Sequence, residues 1–281
     1  MGLVWGERTW VMGVINLTPD SFSDGGRCQG VDAALRQARR QLAQGADVLD
    51  LGAQSTRPGA AEVGAEAELR RLLAPLQAIR ADHPEALISV DTFLPEVAEV
   101  ALAHGANWVN DVRGASALRD PAMLPLVAAA GCPYVLMHSR GTSGAMDGLC
   151  HYGHVVAEVR DTLLAATDEA IAAGVRPSQL IWDPGIGFAK TTEQNLALLV
   201  GLPQLRAEGF PLLIGPSRKR FIGAVLDEPR PRARLWGTAA VCAQAITAGA
   251  DVLRVHDVGP IVQTARMVDA MVRPGCIQAA L

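Results

Sequence analysis

The sequence predicts a single α/β domain over residues 1–281, an eight-stranded parallel (β/α)8 TIM barrel ringed by helices. Three observations lead there. The 281 residues are long for an ordinary domain and suit such a barrel. A unit recurs along the chain, in which a helical stretch ends on Gly and a short, mostly apolar run follows. Each run closes on a polar side chain, and barrel geometry gathers strand ends of that kind on one rim.

The runs can be taken in order. Trp10–Ile15 closes on Asn16, and Gly45-Ala46-Asp47 leads into Val48–Leu51, which carries Asp50. Leu87–Val90 closes on Asp91, and Gly105-Ala106-Asn107 leads into Trp108–Asp111, which carries Asn110. Gly131-Cys132-Pro133 opens Tyr134–His138, and Leu180–Trp182 closes on Asp183. Gly209-Phe210-Pro211 opens Leu212–Gly215, with Ser217 beyond, and Gly249-Ala250-Asp251 opens Val252–His256, which carries Arg254. The runs are apolar on both parities, as expected of strands buried on both faces. The glycines read as left-handed C′ caps, a conformation that costs Gly little. Amphipathic helical stretches intervene, among them Val31–Gln44, Ala65–Ala81, Pro95–His104, Val155–Ala173 and Thr192–Glu208. An open doubly wound sheet is the alternative, but it lacks a G-x-G-x-x-G after the first strand.

Composition narrows the function classes. Net charge is −4 with no Lys/Arg run, which argues against a nucleic-acid surface. Hydrophobic residues at 49% can build a large core, yet no apolar run is long enough to span a bilayer. No signal peptide is expected, and five scattered cysteines without C-x-x-C point to reduced thiols in the cytoplasm. H-E-x-x-H, P-loop and G-x-S-x-G motifs are absent. His151 and His154 lack neighbouring ligands at metal spacing and read as a solvated loop. His83 and His104 read as helix ends.

A lone strand-end Asp or Asn is as readily a helix N-cap as a functional group, but eight polar strand ends exceed what capping requires. Arg254 and His256 are two apart, so both point to one side of their strand, where a guanidinium and an imidazole suit a phosphate. Arg218, Lys219 and Arg220 form a second cationic cluster, placed where barrels often bind phosphate. Helical spacing prevents all three from facing one ligand. Asp183-Pro184-Gly185-Ile186-Gly187-Phe188 allows close backbone approach to a ligand beside an aromatic ring. Thr18–Gly30 and Ala53–Gly64 are long loops rich in Gly, Ser and Pro, expected to be mobile, and Arg140–Gly153 is a third irregular stretch.

These motifs together resemble one family. Asn16-Leu17-Thr18-Pro19-Asp20-Ser21-Phe22-Ser23-Asp24-Gly25-Gly26 and Asp50-Leu51-Gly52-Ala53-Gln54-Ser55-Thr56-Arg57-Pro58-Gly59 are similar to the first two signatures of the dihydropteroate synthases. The resemblance continues through Ser89–Thr92, Asn110-Asp111, Met137-His138, Asp183–Phe188, Gly215–Lys219 and Arg254–Asp257. Ala53 and Gln54 depart from it, where many members carry Gly and Glu.

The resemblance implies a homodimeric, Mg2+-dependent transferase of folate synthesis and a sulfonamide target. It would join 6-hydroxymethyl-7,8-dihydropterin diphosphate to 4-aminobenzoate, releasing pyrophosphate and 7,8-dihydropteroate. It further implies that Asp183 pairs with the pterin edge, that Asp91 and Asn110 meet other polar ring atoms, and that Lys219 meets the acceptor side. Met137, Phe188 and Gly215 would line the slot. Arg254, His256 and Asn16 would hold pyrophosphate, with Asn16 also reaching the metal. Asp24 and Arg57 would complete the catalytic set, and Thr56, Pro58 and Ser217 would position aminobenzoate. Two other readings remain open at this point. A pterin-binding methyltransferase domain would share the Asp/Asn/Asp groups without needing the two long loops, and a non-enzymatic paralogue would keep the barrel alone.

Overall fold

The computed structural model describes residues 4–18, 27–55 and 59–273, with the backbone alone at 27–29. Its elements alternate along the chain. They are β1 (Trp10–Asn16), α1 (Arg27–Ala43), β2 (Val48–Gly52), α2 (Ala65–Asp82), β3 (Leu87–Asp91), α3 (Pro95–Ala103), β4 (Trp108–Asp111), α4 (Met123–Ala130) and β5 (Tyr134–Met137). There follow α5 (Val155–Ala172), β6 (Leu180–Asp183), α6 (Thr192–Val200), α7 (Leu202–Arg206), β7 (Leu213–Ile214), α8 (Arg220–Leu226), α9 (Leu235–Thr247), β8 (Val252–Val255) and α10 (Val258–Val272).

All ladders are parallel, in the order β6-β5-β4-β3-β2-β1-β8-β7. β1 therefore pairs with both β2 and β8, and the remaining edges are β6 and β7. They meet at a single bridge, Trp182 with Leu212, where the Trp182 N–H donates to the Pro211 carbonyl at 2.8 Å. Trp182 and Phe210 stack over that seam with ring centroids 4.8 Å apart. A doubly wound sheet would reverse its strand order and leave its edges apart, so the barrel is the fold.

The predicted caps take the predicted geometry, with positive φ at Gly45, Gly105, Gly131, Gly209 and Gly249. One expected helix is two. The stretch Thr192–Glu208 breaks at Gly201, because Pro203 in the first turn of α7 lacks the N–H that a continuous helix needs there. His83 and His104 are the C-caps of α2 and α3, as expected of helix-end residues.

Side chains two apart on a strand share a face, and this places the site. Low in the barrel interior, Met12, Val48, Trp108, Val135, Ile181, Leu213 and Val252 form one apolar layer, with Trp5 and Trp10 packed against it from below. Two residues further along, Met12 and Leu213 are followed by Val14 and Gly215, and the other five by Asp50, Asn110, Met137, Asp183 and Arg254. On β2, β4, β6 and β8 the interior thus changes from apolar to polar within one pleat. The larger apolar cluster lies between sheet and helices, and a third, of Phe93, Val112 and Met137, sits at the mouth beside Phe188.

Candidate active site

The polar layer is a connected set of charges. Arg254 reaches across the mouth from β8, its Nε 2.6 Å from Asp50 Oδ2 and its Nη2 2.5 Å from Asp91 Oδ2. Asn110 Nδ2 donates to the same Asp50 oxygen at 3.3 Å. Burial lowers the guanidinium's affinity for its proton, but Asp50 and Asp91 outweigh it and hold Arg254 above its usual value. Burial pushes the Asp91 carboxyl up to about 7; Arg254 opposes that, while Asp50, Glu68 and Asp111 add to it.

Four buried polar atoms in this layer have no partner among the described residues: Asp50 Oδ1, Ser89 Oγ, Asp91 Oδ1 and Asn110 Oδ1. Buried polar groups are normally satisfied, so a cluster of orphans in one cleft marks where a polar ligand belongs. The register supports this, since Asp91 lies opposite both Gly52 and Asn110.

Across the mouth stand Asp183, Phe188 and Lys219. Asp183 Oδ1 accepts the Gly185 N–H at 2.7 Å, and its carboxyl is raised to about 6, chiefly by burial. Lys219 Nζ lies 4.0 Å from the Phe188 ring centroid, and burial lowers the ammonium to about 8 against the pull of Asp183. Gly187 makes that stack possible, because a Cβ there would collide with the Lys219 chain. Met137 is buried below, in the Phe93 cluster.

The basic cluster divides as helical spacing requires. Arg218 forms a bidentate pair with Asp257, at 3.0 and 2.6 Å, and Arg220 pairs with Asp147. Only Lys219 turns to the mouth. Ser217 Oγ accepts the His256 N–H at 3.2 Å and lies 3.0 Å from His256 Nδ1, so these two residues meet. A Cβ added at Gly215 would lie 3.9 Å from the Arg254 Cβ, an ordinary contact, so the two residues are neighbours at the rim. Asn16 ends β1, half-buried, and its carboxamide makes no hydrogen bond among the described residues. Asp24, Thr56, Arg57 and Pro58 lie outside the described residues.

The loop after β2 is tied down on either side of that gap. Gln54 Oε1 accepts the Val63 N–H at 2.6 Å, so the departure from Glu still closes the loop. The Gly59 N–H donates to the Ser143 carbonyl at 2.9 Å, joining this loop to the stretch after β5. Arg113 packs over the Phe93 ring at 3.7 Å and pairs with Glu62. His154 is an exposed N-cap of α5, in keeping with its reading as a solvated residue.

Sequence reasoning assigned no role to several residues that organise this rim. Asp50 stood at a strand end, and only its contacts with Arg254 and Asn110 reveal it as their common acceptor. Arg113 gave no signal, because its partners Phe93 and Glu62 are remote in the chain. Lys190 and Asn195 are equally silent, one beyond the Asp183–Phe188 motif and the other on α6.

The chain matches the model of a family described as pterin binding enzyme over residues 12–256. It is 49% identical to a dihydropteroate synthase of Synechocystis sp., over 96% of this chain and 92% of that one. Its backbone superposes on a dihydropteroate synthase of Clostridium difficile, solved in the presence of pteroic acid. The TM-score is 0.90 with 38% identity, over 96% of this chain and 99% of the other. A third relative, the Xanthomonas albilineans dihydropteroate synthase with 4-aminobenzoic acid, gives a TM-score of 0.88 at 43% identity over 94% and 93% of the chains.

Proposed function

This chain belongs to the pterin-binding enzyme family, among its dihydropteroate synthases, and from that membership and the geometry of the rim we propose how it works. The enzyme condenses 6-hydroxymethyl-7,8-dihydropterin diphosphate with 4-aminobenzoate, giving 7,8-dihydropteroate and pyrophosphate. The observation that carries the site assignment is the polar interior layer with its orphaned atoms, set opposite Asp183, Phe188 and Lys219.

A pterin presents a 2-amino and N3 edge of two donors, which a carboxylate matches with two oxygens. Asp183 supplies it, and Lys219 faces the acceptor side. Asp91 and Asn110 offer their free oxygens to the remaining ring donors. Met137, Phe188 and Gly215 make the walls of the slot. His256 and Arg254 sit on the side of β8 that a diphosphate would occupy, and Arg254, drawn into place by Asp50 and Asp91, sets positive charge near the bond that breaks.

The C–O bond between pterin methylene and diphosphate breaks, and its electron pair leaves on oxygen. The aminobenzoate nitrogen then forms the C–N bond and releases a proton to solvent. The protein's main task is to hold charge for the departing pyrophosphate. Asp24 and Arg57 complete that task, and Thr56, Pro58 and Ser217 position aminobenzoate, which is also where a sulfonamide would compete.

Asn16 fits a Mg2+ role, since its unengaged carboxamide is a hard oxygen donor at the rim. Among the described residues no group of three His, Cys, Asp or Glu could hold a metal, so diphosphate oxygens and water would supply most ligands. Mg2+, when bound, neutralises charge building on the pyrophosphate.

The active chain forms a homodimer, for which an exposed apolar stripe offers a face. Met267 and Met271 lie one turn apart on α10, 62% and 63% exposed, and Trp236 on α9 is 79% exposed. We place the enzyme in the cytoplasm, a reading that the free thiols Cys132, Cys150 and Cys242 support; among the described residues no helix is long and apolar enough to cross a membrane. The whole of residues 1–281 serves as one catalytic domain. A coupled assay of dihydropteroate formation from the two substrates tests the reading, and a purified, folded chain that forms none would refute it.

A further inference from the structure

The turn that carries Asp183 and Phe188 is an unfavourable piece of backbone. Gly185 has φ +68°, Gly187 φ +81° and Ala189 φ +47°, three left-handed residues within five. Ala189 is not a glycine and is strained there. Gly185 also presses on the residue after β5, since a Cβ added to it would overlap the His138 carbonyl oxygen. Such a path persists only when surrounding groups fix it.

One side chain does most of that work. Lys190 is 8% exposed, and its Nζ has three acceptors: the Gly185 carbonyl at 3.0 Å, the Phe188 carbonyl at 3.1 Å and His138 Nδ1 at 3.1 Å. An ammonium has three N–H donors and all three are used. Two go to carbonyls within the left-handed stretch and one to His138, the residue that follows β5. His138 is held neutral, chiefly by burial and then by Lys190, so its Nδ1 is free to accept. Burial lowers Lys190 to about 7, while Asp183 pulls it back up. A second anchor works from α6, where Asn195 Oδ1 accepts the Gly187 N–H at 2.6 Å and Nδ2 donates to the Thr191 carbonyl at 2.7 Å.

We infer that Lys190 is a positioning residue for pterin recognition, fastening the Gly185–Phe188 turn to the residue after β5 so that the Asp183 carboxylate and the Phe188 ring keep a fixed separation. Lys190 touches neither substrate nor the reacting atoms. It acts through the two residues that do, and a turn released from it would still carry both groups but in many arrangements. Affinity for the ring would then fall with the fraction of time the turn holds the right one. The pyrophosphate partners, Arg254 on β8 and His256 just after it, do not depend on this turn.

The inference rests on the pterin reading, and calorimetry can separate the two. Wild-type protein is titrated with 6-hydroxymethylpterin, which carries no phosphate, and separately with pyrophosphate. No pterin binding by wild type would overturn the reading and the inference together. In Lys190→Met, pterin affinity should fall at least about thirtyfold while pyrophosphate affinity stays within about twofold. In steady state KM for the pterin diphosphate should rise with kcat little changed, the mark of lost ground-state binding. Lys190→Gln keeps two donors and should recover part of the loss. A folded Lys190→Met protein with wild-type pterin affinity would overturn the inference, as would equal losses for both ligands. If Lys190→Met does not fold, Lys190→Gln decides: a pterin-selective loss supports the inference and wild-type affinity overturns it.

Discussion

Pterin affinity should follow a bell in pH, and its acid limb should belong to Asp183. Burial raises that carboxyl to about 6, with the Gly185 N–H, Lys219, Lys190 and Arg254 opposing. Only the ionised form accepts from two ring donors, and Oδ1 already holds the Gly185 N–H at 2.7 Å. A group titrating at about 6 is roughly nine-tenths protonated at pH 5, so affinity should drop about tenfold from its plateau, or ~1.4 kcal/mol. On the alkaline side Lys219 titrates at about 8, and loss of its charge should weaken binding again by pH 9. The plateau is therefore narrow and centred near neutrality. Calorimetric titration of 6-hydroxymethylpterin at half-unit steps from pH 5 to 9 measures it, with the ligand's own titration recorded in parallel. Asp91 and Lys190, each at about 7, and Asp111, at about 6, titrate in the same region, so Asp183→Asn is the control for the acid limb and Lys190→Met for the neutral range. A flat profile between pH 5 and 7, or an unchanged acid limb in Asp183→Asn, would refute the reasoning.

Asp183→Asn should lose about 2–5 kcal/mol of pterin binding without altering the circular dichroism spectrum, and wild-type-like affinity would remove Asp183 from the ring edge. Gly185→Ala places a Cβ against the His138 carbonyl at φ +68°, and its thermal midpoint should fall by several degrees, from a strain of about 1–3 kcal/mol or more. An unchanged midpoint would show that the turn gives way easily. Arg113→Ala frees Glu62 and should raise KM for 4-aminobenzoate more than for the pterin substrate; equal changes would detach Arg113 from that loop. Activity should vanish on exhaustive chelation and return with Mg2+, and full activity in EDTA would refute the metal role proposed for Asn16.

The barrel could be read from the chain because its signals are local. The left-handed Gly45, Gly105, Gly131, Gly209 and Gly249 each stand three residues before an apolar run, and every run became a strand within a residue or two. The strand-end residues were legible for the same reason, since period two and the rim rule fix where Asp91, Asn110 and Asp183 stand. What stayed hidden was long-range. The double pairing of Arg254 joins β8 to β2 and β3, across 204 and 163 residues of sequence, and no spacing announces it. Lys190 was hidden because its three acceptors are backbone carbonyls and a ring nitrogen, groups that any sequence supplies. The break at Gly201 was missed because amphipathic periodicity continues through it even though Pro203 cannot donate.

The seam between β6 and β7 has a mechanical consequence. Every other strand junction is a ladder of two or more registered pairs, whereas this one is a single bridge reinforced by stacked rings. Thermal breathing of the cylinder will concentrate where the fewest cross-links must stretch. Asp183 ends β6 on one bank of that seam, and Lys219 follows β7 on the other. Each opening fluctuation thus widens the gap between the carboxylate and the ammonium that the proposed reading sets on opposite sides of one flat ring. A ligand spanning both banks works as a rivet, and the stiffness of the whole wall becomes part of what binding it measures.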